Sequence, residues 1–67
     1  MNILVRHLGK IKQTHTNVIA FAVNWKRNEG KGVFYEQLFI SYYTQEGGEI
    51  NEFEVDLYPG WSFEVLP

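Results

Sequence analysis

The chain contains no cysteine, so it has no disulfide bond and no thiolate metal site. It also lacks an apolar run long enough to cross a bilayer. The first ten residues are too short and too charged to form a signal peptide. The absence of cysteine does not fix the compartment, but the other two absences predict a cytoplasmic protein that does not enter a membrane.

Lysine and arginine are absent from residues 32–67, which carry seven acidic residues. All six basic residues lie in residues 1–31, together with one acid, Glu29. The first half therefore has a formal charge of +5 (six minus one) and the second half −7 (zero minus seven), for a net charge of −2. Two explanations stay open: complementary strands pair with each other, or the fold has an acidic binding side.

The length of 67 residues predicts a single domain, residues 1–67, with a small core. Such a core rarely supplies more than about 3–5 kcal/mol. With two Trp, four Tyr and five Phe, the chain has enough aromatic residues for dense packing. Stability must therefore come from a well packed barrel or from oligomerisation.

Alternating apolar residues separated by glycine-containing turns predict an all-β fold. The central strand is predicted in the longest β-forming run, VFYEQLFISYYT at 33–44. The other strands are predicted at residues 2–8, 18–27, 50–58 and 61–66, and the polar stretch 10–17 as a loop or a frayed extension. We expect a five-stranded antiparallel barrel, SH3-like in architecture, in which the last strand pairs with the first. An open antiparallel sheet is the alternative.

Gly47-Gly48 predicts a two-residue hairpin turn, in which Glu46 faces Glu49 and the numbers of paired residues sum to 95. The pairs predicted on the core face are apolar throughout: Tyr42 with Phe53, Ile40 with Val55, and Leu38 with Leu57. The preceding strand is expected to add Ile19, Phe21, Val23 and Trp25 to this face.

The opposite face of the same strands is predicted to combine aromatic rings with carboxylates. Its candidate partner-binding residues are Tyr35, Phe39, Tyr43, Glu52, Glu54, Asp56 and Tyr58. Flanked by Val18 and Lys26, Ala20 and Ala22 form its floor, and the predicted register puts Tyr43 beside Glu52, Ser41 beside Glu54 and Phe39 beside Asp56. An apolar patch with a charged rim is typical of an interaction site. The alternative is that a loop or a second subunit covers the face.

Protein binding is the function that this face predicts, with a partner that offers a basic surface. Small size and acidity suggest an inhibitor of a nucleic-acid-binding protein, of phage or mobile-element origin. One alternative is a barrel that binds single-stranded nucleic acid, stacking bases on Tyr35, Phe39 and Tyr43. A homo-oligomeric structural protein, in the simplest case a homodimer, is another.

Catalysis is not predicted, because no nucleophile, base and oxyanion site can be assembled from recognisable motifs. His7 and His15 lie in a basic segment and are expected at the surface. Alternate carboxylates along a flat strand do not converge, so no metal site and no cofactor are predicted.

Overall fold

The computed structural model describes residues 1–44 and 48–67, which contain six β-strands and no helix. The strands are β1 (Asn2–His7), β2 (Lys10–His15), β3 (Val18–Asn28), β4 (Val33–Tyr43), β5 (Ile50–Leu57) and β6 (Trp61–Leu66). They form two antiparallel sheets. The short sheet has the order β2-β1-β6, and the long sheet has the order β3-β4-β5. No helix of the described residues is long and apolar enough to span a membrane.

The all-β prediction is confirmed, but the five-stranded barrel is wrong, and the two open sheets fit the alternative. The last strand does pair with the first, as predicted, since Val5 lies opposite Phe63. Within the described residues, however, neither β5 and β6 nor β2 and β3 are paired, so the sheets do not close on each other.

The stretch predicted as a loop forms β2, an edge strand paired with β1. The turn before it consists of Leu8 and Gly9, with φ angles of 52° and 82°. Two consecutive positive φ angles are what a type I′ hairpin turn requires. Leucine rarely adopts this conformation, so the sequence carries little signal for the hairpin.

The core lies between the two sheets. Its fully buried side chains are Ile3 and Val5 of β1 and Leu38 and Ile40 of β4, each 0% exposed. The predicted core face of the central strand is therefore confirmed.

β3 differs from the prediction in two respects. The residues expected on the core face are all exposed, at 38% for Ile19, 41% for Phe21, 37% for Val23 and 70% for Trp25. A bulge between Val18 and Ala20 instead turns Val18, predicted on the outer face, into the core.

The β4–β5 register differs from the predicted one by two residues. Tyr43 pairs with Ile50, so that paired numbers sum to 93 rather than 95. The observed core-face pairs are Tyr42 with Asn51, Ile40 with Phe53, Leu38 with Val55 and Glu36 with Leu57. β4 ends at Tyr43 and β5 begins at Ile50, so the connection is longer than a two-residue turn. The Thr44 N–H donates to the Glu49 carbonyl at 2.9 Å. The predicted turn itself lies partly outside the described residues.

Aromatic contacts show which strands lie over each other. Phe21 of β3 meets Phe63 of β6 with ring centroids 5.9 Å apart, and His15 of β2 meets Phe53 of β5 at 5.0 Å. The layered structure therefore has two open sides, a β3–β6 side and a β2–β5 side. On the β2–β5 side, the His15 Nε2 and the Gln13 Oε1 are 2.9 Å apart.

The two histidines lie only partly at the surface, because both side chains are half-buried. His7 stacks on Trp61 at a centroid distance of 4.7 Å, and His15 packs on Phe53 as described. Burial lowers the pKa of His15, since a partly desolvated imidazole holds its proton less well.

The lowered pKa of His15 predicts a loss of stability in mild acid. Between the folded pKa and the ordinary value near 6.5, the unfolded chain binds more protons, so the free energy of unfolding falls as pH drops. We expect denaturant midpoints of the wild type to fall between pH 7.5 and pH 5.5. The comparison is with His15→Gln, which removes the imidazole and leaves Gln13 and Phe53 unchanged. An equal pH dependence in that variant would contradict the assignment.

Candidate functional site

The outer face of the long sheet brings together the residues predicted to bind a partner. Three aromatic side chains lie along this face of β4, four residues apart, namely Tyr35, Phe39 and Tyr43. Three carboxylates, those of Glu52, Glu54 and Asp56, follow the adjacent strand β5. Tyr58 follows β5 directly, and its ring stacks on Tyr35 with centroids 4.7 Å apart and planes at 27°. We call these seven residues the aromatic–acidic face.

The neighbours within the aromatic–acidic face are not the predicted ones, because of the two-residue register difference. The observed cross-strand pairs are Ser41 with Glu52, Phe39 with Glu54, and Gln37 with Asp56. Tyr43 lies opposite Ile50 instead of Glu52. The side chains of Tyr43 and Ile50 are 50% and 58% exposed, and they make one end of the face apolar.

Gln37 is a residue of the same face that the sequence did not single out. It is only 6% exposed, although it lies on the outer face in the middle of β4. Its amide nitrogen donates to Asp56 Oδ1 at 2.8 Å and lies 3.4 Å from Glu54 Oε2. One amide group therefore holds two neighbouring carboxylates, and hydrogen bonds to ionised acceptors are stronger than neutral ones. The only sign of this role in the sequence is that Gln37 is a polar residue within the largely apolar run 33–44.

The acidic strand also affects the tyrosine pair. Burial raises the pKa of the Tyr35 phenol, and the charge of Asp56, with smaller contributions from Tyr58 and Glu54, raises it further. Both causes disfavour the phenolate. Tyr35 therefore keeps its proton at physiological pH, and its hydroxyl group can donate a hydrogen bond.

The basic residues are distributed over different surfaces. Lys26 lies opposite Tyr35 on the aromatic–acidic face, but Arg27 pairs with Phe34 on the other face of the long sheet. Lys10 and Lys12 belong to β2 in the short sheet. These four cations do not form a continuous groove beside the aromatic row. Within residues 1–44 and 48–67, no three His, Asp or Glu side chains are grouped closely enough to hold a metal ion.

The fold and this face define a small β-protein of two open sheets with an exposed surface of aromatic rings and carboxylates. No protein-family model, no curated protein and no solved structure matches the chain.

Proposed function

We propose that this chain is a small, non-catalytic protein-binding module that docks its aromatic–acidic face on a basic surface of a protein partner. The observation that carries the proposal is the contact of Gln37 with Glu54 and Asp56. It fixes two carboxylates beside Phe39 before any partner arrives. Side chains that are already ordered lose less conformational entropy on binding.

The residue types of the face support protein recognition. Tyrosine and phenylalanine are enriched at the centres of protein interfaces, where rigid rings bury a large area. Such rings lie along one strand direction of this face, in the stacked Tyr35–Tyr58 pair, in Phe39 and in the more exposed Tyr43. Carboxylates at the rim steer a basic partner and exclude acidic ones.

The charge arrangement supports a basic protein over a nucleic acid. A single strand stacked on Phe39 would bring its phosphates next to Glu54, and like charges repel. A basic protein surface that itself binds nucleic acid would instead be complementary to this face. By occupying such a surface the chain would act as an inhibitor, of the kind that a phage or mobile element could encode, in the cytoplasm of its host.

Capture from an extract of the source cells tests the proposal, using two phenylalanines of the same strand. Phe39 lies on the aromatic–acidic face, and Phe34 lies on the opposite face of β4. We expect the immobilised wild type to retain a basic protein, identified by mass spectrometry. Phe39→Ala should weaken retention by roughly 30-fold or more, as for an interface hot spot near 2 kcal/mol. Phe34→Ala should bind as the wild type does.

A parallel titration with a single-stranded oligonucleotide at two salt concentrations tests the alternative function, binding of single-stranded nucleic acid. We expect no binding at the higher salt. Oligonucleotide binding that weakens steeply with salt and is lost in Phe39→Ala, without a captured protein, would replace protein binding by nucleic-acid binding.

A further inference from the structure

The four outer edges of the two sheets differ in how well they are protected. The β5 edge carries Glu52, Glu54 and Asp56, and the six-residue β2 edge carries Lys10 and Lys12. The β6 edge is equally short and carries Glu64. Charged side chains and short strands are how proteins prevent edges from pairing with other chains. Three of the four edges therefore have such protection.

The β3 edge is the exception. This strand is 11 residues long, and residues 18–25, VIAFAVNW, contain neither a charge nor a proline. In the described part of the chain, β4 is its only neighbour in the sheet. At Val18 the other edge is hydrogen-bonded to Met1, with the Val18 N–H donating to the Met1 carbonyl at 3.0 Å and the Met1 ammonium donating to the Val18 carbonyl at 3.1 Å. From Ala20 onward this edge leaves backbone N–H and C=O groups unpaired. The two cations of the strand, Lys26 and Arg27, lie near its end. A long open edge with a continuous uncharged stretch is a template for another strand.

Apolar side chains accompany this edge on the β3–β6 side. Phe21, Val23 and Val65 point between the two sheets but are still 41%, 37% and 38% exposed. Ile19, next to the bulge, is exposed to the same degree at 38%. On the β2–β5 side, Phe53 is exposed to a similar degree, at 40%, but His15 packs on its ring and the Gln13–His15 contact adds polar groups there. The opening lined by apolar side chains alone therefore coincides with the unprotected edge.

We propose that the β3 edge pairs with the β3 edge of a second copy of this chain, which joins two long sheets into one six-stranded sheet. The rotation axis that relates two antiparallel copies of one strand is perpendicular to the sheet. Each residue then faces a residue of the same parity, so Phe21 and Val23 of both copies lie on the same side of the joined sheet. The apolar openings of the two copies meet and cover each other.

The charges of β3 favour a second copy as the occupant. Pairing centred on Val23 places Lys26 opposite Ala20 of the other copy, beyond the Met1–Val18 hydrogen bonds. This register does not bring two cations directly opposite each other, which would be unfavourable. The aromatic–acidic face is not covered in this dimer, so the two proposals stand independently.

Sedimentation between about 1 µM and about 100 µM tests the dimer, a range that brackets micromolar affinity. We expect dimers for the wild type and monomers for Val23→Lys, which places an inward-pointing lysine on the edge. The matched control is Asn51→Lys, an exposed inner-face position on the β5 edge, which should stay dimeric. Phe39→Glu on the aromatic–acidic face should also stay dimeric, unless that face is the self-interface.

If Val23→Lys does not fold, amide hydrogen exchange of the wild type tests whether the β3 edge is paired in the dimer. We expect alternate amides along β3, those directed away from β4, to be protected at high concentration and exposed on dilution. A wild type that is monomeric throughout, a dimer that survives in folded Val23→Lys, or a β3 exchange pattern independent of concentration would each overturn the proposal.

Discussion

Replacing Ile40 by alanine is expected to unfold the chain. The side chain is 0% exposed and lies in β4 between Phe21 of β3 and Phe53 of β5. Truncating a buried isoleucine to alanine costs about 2–5 kcal/mol, because transfer energy is lost and a cavity remains. A core of this size supplies only about 3–5 kcal/mol in total. Leu38→Ala, equally buried, is expected to have the same effect.

Circular dichroism during urea titration measures this effect, and Ser41→Ala is the control. Ser41 is the next residue of β4 and faces outward, opposite Ala20 and Glu52. Its replacement should leave the free energy of unfolding within about 0.5 kcal/mol of the wild type. A destabilised Ser41→Ala beside an unchanged Ile40→Ala would show that the two faces of the strand are exchanged.

Changing Glu52, Glu54 and Asp56 together to lysine is expected to abolish capture of the protein partner. The variant replaces three negative charges on the aromatic–acidic face by three positive ones, which then oppose a basic surface. Like charges across an interface cost several kcal/mol, which corresponds to a loss of affinity of more than about 100-fold. Wild-type association should slow with added salt, since screening acts over about 10 Å at 0.1 M.

The triple variant needs a control for stability, because it removes both hydrogen-bond acceptors of Gln37. The ammonium groups of lysine cannot replace these acceptors. Stability is therefore measured for every variant. Glu52→Lys changes charge on the face without altering these two hydrogen bonds, and Glu36→Lys is its match on the other face of the long sheet. Only Glu52→Lys should weaken capture.

The oligonucleotide titration separates the two functions by the sign of the charge effect. If the chain binds single-stranded nucleic acid, the triple lysine variant should bind more tightly, and Lys26→Glu combined with Arg27→Glu should destroy binding. Partner capture that survives the triple variant unchanged would show that the carboxylates are only solvated and that the interface lies elsewhere.

The sequence predicted which face each residue occupies better than it predicted which residues are neighbours. The side-chain period of a strand is two, so Leu38 and Ile40 could be placed in the core from parity alone. Pairing depends on the length of the connection, and Gly47-Gly48 indicated a tighter turn than the pairing of Tyr43 with Ile50 requires. An error of two residues changed every partner but no face.

Because of the same register error, the contact of Gln37 with the two carboxylates was not predicted. In the predicted register Gln37 would lie opposite Tyr58, whereas it is paired with Asp56 and reaches Glu54 as well. The residues that share the outer face were therefore predictable, but the contact that orders its carboxylates was not. The β2 strand escaped prediction for a different reason, since its hairpin depends on Leu8 in a conformation that leucine seldom adopts.

Each sheet combines strands from both halves of the chain, and this changes the meaning of the charge segregation. The short sheet joins β1 and β2 of the basic half to β6, and the long sheet joins β3 to β4 and β5. Yet Arg6 and Glu64, 3.0 Å apart, form the only salt bridge found among the described side chains. Attraction between a +5 segment and a −7 segment thus has few native contacts through which to act. We expect its main effect on the unfolded chain, where opposite charges would draw the two halves together and favour the distant pairing of Asn2 with Leu66.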